Sequence, residues 1–377
     1  KTTTTHMIRA ILLAAGKKVG MIGTTGTVIG DVVTPTLNTT PESYELHQAF
    51  AQMVEAGCEY AVMEVSSQGI KMHRTDGLYF NYAIFTNISP DHIGPGEHAD
   101  FEEYLYYKTR LLNMCGIGLV NKDDEHAPQI IKAANCELYT YSEESKEADF
   151  VASDIRYVSQ PDFVGTEFHI SGKYDMEVRL GIPGLFNVVN ALAAVSVCSF
   201  LGLDQARISH ALENIRVNGR MEIVYTSERC TVLVDYAHNA VSMESLLSTL
   251  RDYKPKRLVC VFGCGGNRSK DRRYSMGEIG GKMADLSIIT ADNSRYEKVE
   301  DIIADIRGSI EKTGGKFIEI PDRREAIRYS ILHAQPGDMV AVIGKGHEDY
   351  QEINGVRHHF LDREVIEETV KELGEKA

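Results

Sequence analysis

The chain has 377 residues, 43% of them hydrophobic and 25% charged, the balance of an ordinary globular protein with room for two or three domains. A formal net charge of −14 argues against a general nucleic-acid binder, because there is no basic stripe to displace counterions from phosphates. The 7 cysteines stand singly without a C-x-x-C pair, and no apolar run reaches the roughly 18 residues of a membrane span, so reduced thiols and a cytoplasmic location are expected.

In chain order, "KTTTT" comes first. Lys-Thr is how the phosphate-binding pattern G-x-x-x-x-G-K-[ST] ends, although five residues alone read equally well as a polar stub. They feed into helical spacing at Met7, Ile8, Ile11, Leu12 and Ala15, with Gly16 as a stop, and residues 18–23 read as a buried strand. Thr40-Pro41-Glu42 reads as an N-cap, a first-turn Pro and a first-turn acid for a helix that carries Leu46, Phe50, Met53, Val54 and Ala56 to Gly57. "EYAVMEVSS" (59–67) and "NYAIFTNIS" (81–89) are strands that turn polar at their C-terminal ends, where doubly wound sheets bind ligands. Residues 149–180 alternate as an antiparallel patch, followed by an apolar helix over 184–202 and a shorter one near 205–215. After the polar "RVNGRME" (216–222) a second βα series has strands near 231–235, 257–263, 285–290, 316–320 and 338–343. The pattern predicts an α/β protein with mainly parallel sheets and two domains, 1–218 and 219–377.

Within this frame three residues suggest phosphate chemistry. Glu64 ends the first of the two polar-ended strands, where a carboxylate suits Mg²⁺ beside phosphates, or else simply meets solvent. His92 follows Asp91 just after the second, and Lys108 lies on the next helix at the same end of the sheet.

Twelve motifs in order complete the pattern: "KTTTT", "LNTTPE", "MEVSS", "TNISPDH", "YYKTRLL", "GLFNVVNALAA", "NGRME", "VDYAHN", "VFGCGGNR", "DNSR", "PDRREAI" and "GKGHEDYQ". Together they resemble, over essentially the whole chain, the Mur ligases, ATP-dependent amino-acid ligases of cell-wall precursor synthesis, and most of all the type that adds the third residue. The resemblance implies a P-loop-type central ATPase domain followed by a Rossmann-like domain for the incoming amino acid. It also implies that the chain begins inside the P-loop, with a UDP-binding domain ahead of it.

Roles follow from the resemblance residue by residue. Lys1, Thr2 and Thr3 would bind ATP phosphates, with Asn187 and Asn190 on the adenine side and Arg220, Asp235 and His238 also at the nucleotide. Thr2, Glu64, His92 and a carbamylated Lys108 would hold Mg²⁺, and Lys1, His92, Lys108 and Arg220 would be catalytic. Asn38, Thr39, Thr40, Ser66 and Arg74 would contact UDP-N-acetylmuramoyl-L-alanyl-D-glutamate, with Met72 where the family often has Gln. "DNSR" resembles the "DNPR" of diaminopimelate-adding members, with Ser294 for Pro, and Asn267 replaces a usual Asp. Arg295, helped by Arg273, would grip the second carboxylate of meso-diaminopimelate, with Asp292, Asn293, Gly344 and Glu348 around its far end.

The implied activity is ADP-forming ligation through an acyl phosphate, in a monomer acting on small molecules with Mg²⁺ and ATP. An L-lysine-adding ligase and a non-catalytic relative that only binds the nucleotide precursor are the alternatives. Folylpolyglutamate synthases and cyanophycin synthetase share the core, but "LNTTPE" and "DNSR…GKGHE" argue against them.

Overall fold

The computed structural model describes residues 1–90, 93–94 and 96–374, and the chain divides into two units. The first comprises Lys1–Arg156, Glu167–Leu180 and Leu185–Ile215; the second comprises Tyr157–Thr166, Gly181–Gly184 and everything from Arg216 onward.

In the first unit, α1 (Thr2–Ala14) buries Met7, Ile8, Ile11 and Leu12 along one face, the face its sequence spacing predicts. It leads into β1 (Val19–Gly23), buried at every position. β2 (Gly26–Ile29) and β3 (Val32–Thr34) then fold back antiparallel, a hairpin that sequence reading missed. α2 (Ser43–Glu55) seats Leu46, Ala49 and Met53, and its N-cap is Glu42 rather than the expected Thr40. Thr40 is instead completely buried, its hydroxyl taken up by tertiary bonds. β4 (Tyr60–Met63) pairs parallel with β1, giving the order β3-β2-β1-β4, and α3 (Ser67–Lys71) follows.

A second sheet begins with β5 (Phe80–Phe85), followed by α4 (Phe101–Arg110), β6 (Cys115–Asn121), α5 (Ala127–Ala133) and β7 (Glu137–Ser142). β8 (Phe150–Gln160), β9 (Phe163–Gly172) and β10 (Met176–Leu180) extend it to the order β10-β9-β8-β7-β6-β5. α6 (Leu185–Phe200) and α7 (Gln205–Glu213) close the unit. β4 and β5 are end strands of different sheets, and both line one cavity of about 560 Å³.

The second unit runs β11 (Glu222–Thr226), β12 (Cys230–Asp235), α8 (Ala240–Asp252), β13 (Arg257–Phe262), α9 (Lys270–Met283), β14 (Leu286–Ile289) and α10 (Val299–Thr313). It continues with β15 (Phe317–Glu319), α11 (Arg323–Leu332), β16 (Asp338–Ile343), the hairpin β17 (Tyr350–Ile353) and β18 (Val356–His359), and α12 (Asp362–Glu372). Its sheet has the order β11-β12-β16-β13-β14-β15, parallel except for β11. Val232, Val234, Val261, Ile288, Val340 and Val342 are fully buried, as expected of parallel strands within an α/β layer. Because the strands are parallel, "DYAHN", "GCGGN", "DNSR" and "GKGHE" all leave the sheet at one rim.

That rim is pinned from below. Arg323, fully buried, donates to both Asp362 oxygens at 2.7 Å, to the Ala291 carbonyl at 3.2 Å and to the Ile343 carbonyl at 3.0 Å. One guanidinium thus ties the last residue of β16 to the segment that enters "DNSR". No helix among the described residues is long and apolar enough to cross a membrane.

Candidate active site

The start of α1 and the end of β4 meet at Glu64. The residue is 3% exposed, and its carboxylate accepts three bonds: from the Thr2 hydroxyl at 3.0 Å, the Thr24 amide at 3.0 Å and the Thr24 hydroxyl at 3.2 Å. Gly23 leaves room for this carboxylate: a Cβ there would stand 2.4 Å from Glu64 Oε1 and would force the acid to shift. Burial lowers the Lys1 pKa and the Glu64 charge opposes that shift, although the Lys1 residue as a whole remains exposed. Lys1, Glu64 and Thr86 line the 560 Å³ cavity together. Thr24 was missed by sequence reading; its signal was its place directly after a buried strand, at the same sheet end as Glu64.

Next to this centre the Thr4 hydroxyl donates to Asn190 Oδ1 at 3.0 Å, and Asn190 donates to Asn187 Oδ1 at 3.2 Å. The two predicted adenine-side asparagines therefore stand beside the first turn of α1, which also holds Thr3. The predicted dipeptide residues converge on Thr40. Its hydroxyl donates to the Glu64 carbonyl at 3.1 Å and accepts from the Ser66 amide at 2.9 Å, while the Ser66 hydroxyl caps α3 through the Gly69 amide. Arg74 donates to the Thr40 carbonyl at 3.2 Å and pairs with Glu42 at 2.7 Å. Thr39 meets Thr24 at 3.1 Å, and Asn38 is half-buried beside it. Fully buried, Thr40 uses its hydroxyl to join Glu64 to Ser66.

Lys108 donates to the Asn87 carbonyl at 2.9 Å, just past β5, and lies 4.8 Å from the Tyr104 ring centre. His92 is outside the described residues. Among the described residues no three His, Cys, Asp or Glu side chains gather as a metal-binding group. Glu64 and Thr2 nevertheless offer adjacent hard oxygen donors, the chemistry Mg²⁺ takes.

In the second unit, Asp235 accepts from the amides of Met221 at 2.8 Å and Ala237 at 2.7 Å. Burial raises its pKa against these bonds, so its carboxylate organises backbone around it. The Arg220 guanidinium lies 5.0 Å from the Tyr236 ring centre, and His238 Nδ1 meets the Tyr236 carbonyl at 2.8 Å. Gly219 is a required glycine: φ is 66°, and a Cβ would stand 2.1 Å from the His347 amide nitrogen.

Arg295 also takes a left-handed φ, 52°, and donates to the Gly266 carbonyl at 2.7 Å, with its Nε 3.5 Å from Glu352. Asn293 donates to Glu348 at 3.0 Å, and Gly344 approaches Asp292 so closely that a Cβ would be 2.8 Å from its Oδ2. Arg273 departs from expectation. It is 1% exposed and committed to both Glu297 oxygens at 2.8 Å and to Asp305 at 2.9 Å, so it braces the "DNSR" segment from inside.

The His347 ring lies tilted 5.2 Å from that of Tyr236, and burial, then the Arg220 charge, lower its pKa against Glu348 and Asp349. Between this lowered value and the ordinary one the unfolded chain binds a proton that the folded chain does not. The stability contributed is therefore complete above the ordinary value and lost as pH falls. Lowering the pH from about 7.5 to about 5.5 should destabilise the protein, and His347→Asn should flatten that slope; melting temperature against pH measures both.

Residues 1–198 match the Mur ligase middle domain, and residues 219–346 match the Mur ligase, glutamate ligase domain. The chain is 39% identical over 378 residues to the UDP-N-acetylmuramoyl-L-alanyl-D-glutamate–2,6-diaminopimelate ligase of Caldanaerobacter subterraneus subsp. tengcongensis, covering 99% of this chain and 76% of that one. It is 38% identical over 383 residues to the protein of the same name from Clostridioides difficile, covering 99% and 77%. A solved UDP-N-acetylmuramoyl-L-alanyl-D-glutamate–2,6-diaminopimelate ligase superposes with a TM-score of 0.77 at 33% identity, over 100% of this chain and 77% of that one. The UDP-N-acetylmuramate–alanine ligase of Thermotoga maritima, at 17% identity and a TM-score of 0.65 over 99% and 73%, shares the fold alone.

Proposed function

The chain belongs to the Mur ligase family, and from that premise we propose that it is the ATP-dependent, ADP-forming ligase that joins meso-diaminopimelate to UDP-N-acetylmuramoyl-L-alanyl-D-glutamate. The observation that carries this reading is the buried Glu64 carboxylate against Thr2 at the N-terminus of α1, where backbone amides and Lys1 suit a phosphate chain.

A glutamyl carboxylate oxygen attacks the γ-phosphorus of ATP, ADP leaves, and an acyl phosphate forms. The amine of the incoming amino acid then attacks the acyl carbon, phosphate leaves, and the nitrogen gives up a proton. Lys1 and the first amides of α1 stabilise the phosphoryl oxygens as negative charge shifts to the leaving side. Glu64 and Thr2 would hold Mg²⁺, which when bound neutralises triphosphate charge. We assign His92 and a carbamylated Lys108 to the same shell, and Arg220 to the nucleotide. Arg295 and Glu348 supply the opposite charges that suit the carboxylate and ammonium at the far end of diaminopimelate.

Phosphate release should require ATP, Mg²⁺, the muramoyl dipeptide and diaminopimelate together, with L-lysine a poor substitute because it lacks the carboxylate for Arg295. A coupled phosphate assay with each component omitted tests this. Release with L-lysine and none with diaminopimelate would overturn the specificity.

A further inference from the structure

Lys345 stands between the two glycines of "GKGHE", and none of the roles above uses it. In the structure its side chain is 0% exposed. Its ammonium donates to Asn293 Oδ1 at 3.3 Å, to Glu348 Oε2 at 3.3 Å and, through a short bond, to the Tyr350 carbonyl. It also lies 5.3 Å from the Tyr350 ring centre. A buried lysine satisfied in this way is costly to desolvate, so its three partners must repay the cost by their own placement.

Those partners belong to two of the rim segments, "DNSR" and "GKGHE", and to the strand β17 that follows them. Asn293 lies in "DNSR", and its Oδ1 also accepts from the Glu352 amide at 2.9 Å while its Nδ2 holds Glu348 at 3.0 Å. Tyr350 opens β17, the strand whose Glu352 carbonyl accepts from the Arg295 amide at 3.0 Å. Glu348 is further held by the Tyr236 hydroxyl at 3.4 Å. One cation therefore fixes a carboxylate, Glu348, and the strand that sets the backbone of a guanidinium, Arg295.

We propose that Lys345 is a specificity-determining positioning residue. Its buried ammonium locks Glu348 and β17 to Asn293, so that Glu348 and Arg295 present opposite charges at one fixed spacing to the zwitterionic end of a diamino dicarboxylic acid. It touches no substrate. Without it Glu348 loses a charged donor, Asn293 loses one of its two donors, and β17 loses its anchor to "GKGHE". The inference rests on the reading of this rim as the amino-acid site.

The test compares Lys345→Met, Lys345→Gln and Lys345→Arg with the unaltered protein by steady-state kinetics and melting temperature. It uses whichever third amino acid, diaminopimelate or L-lysine, supports turnover in the unaltered protein, so an error about the substrate shows there and not in the variants. Lys345→Met should raise the KM for the amino acid about tenfold or more, leave the KM for ATP within about twofold, and relax the preference between the two amino acids. Lys345→Arg should recover part of the loss. Should Lys345→Met fail to fold, Lys345→Gln keeps a donor without the charge and carries the same expectation. An unchanged amino-acid KM, or equal rises in every KM, would show Lys345 to be a packing residue and overturn the proposal.

Discussion

Replacing Glu64 by Gln is expected to cut kcat about a thousandfold while leaving the protein folded. The substitution keeps the shape that Gly23 makes room for. It removes the negative charge, and it turns one oxygen that accepts from Thr2 or Thr24 into an amide that can only donate. Gln can keep its carbonyl on the Thr24 amide and donate from its NH2 to the Thr2 and Thr24 hydroxyls, which can accept, so the main loss is the charge and with it the hard-cation chemistry of the carboxylate. The measurement is kcat at saturating substrates beside a melting curve. A kcat within about tenfold of the unaltered protein would remove Glu64 from the phosphate chemistry and with it the reading of α1 as the nucleotide end.

The second large effect is on stability. Arg323→Met should cost about 3–5 kcal/mol of the second unit's stability, because it strands the Asp362 carboxylate without its partner where neither side chain meets solvent. The same change frees the Ala291 and Ile343 carbonyls, which open the "DNSR" and "GKGHE" segments. Urea unfolding should show the loss, and the double variant Arg323→Met with Asp362→Leu should regain most of it, since two apolar groups leave no buried charge. Recovery of stability without recovery of the KM for the amino acid would separate the ion pair's role in folding from its role in holding the rim.

How far the sequence foretold this depended on the kind of signal each residue carried. α1, the helix over 185–200 and the parallel strands of the second unit have strong apolar periodicity, and their packing follows it. Glu64 and Thr2 were legible because a strand-end acid and a helix-start hydroxyl are local features. Thr40 misled, since a Thr before Pro and Glu looks like a cap, and only the tertiary fold shows its hydroxyl bridging Glu64 and Ser66. The β2–β3 hairpin was missed because its signals are two glycines, Gly26 and Gly30, at positive φ within a short run of Val and Thr. Arg273, Arg323 and Lys345 were hardest. Arg273 reads in the sequence as a helper at the amino-acid site, whereas its burial depends on acids 24 and 32 residues away, and that of Arg323 on an acid 39 residues away.

Glu64 follows a strand that belongs to one hydrogen-bonded ladder, whereas Asn87, which receives Lys108, follows a strand that belongs to another. Among the described residues β4 and β5 sit in separate sheets, so no strand pairing runs directly between them. The acid and the amine assigned to one cation thus stand on two different sheets of one compact unit, and a cation held by both would join those sheets where strand pairing does not.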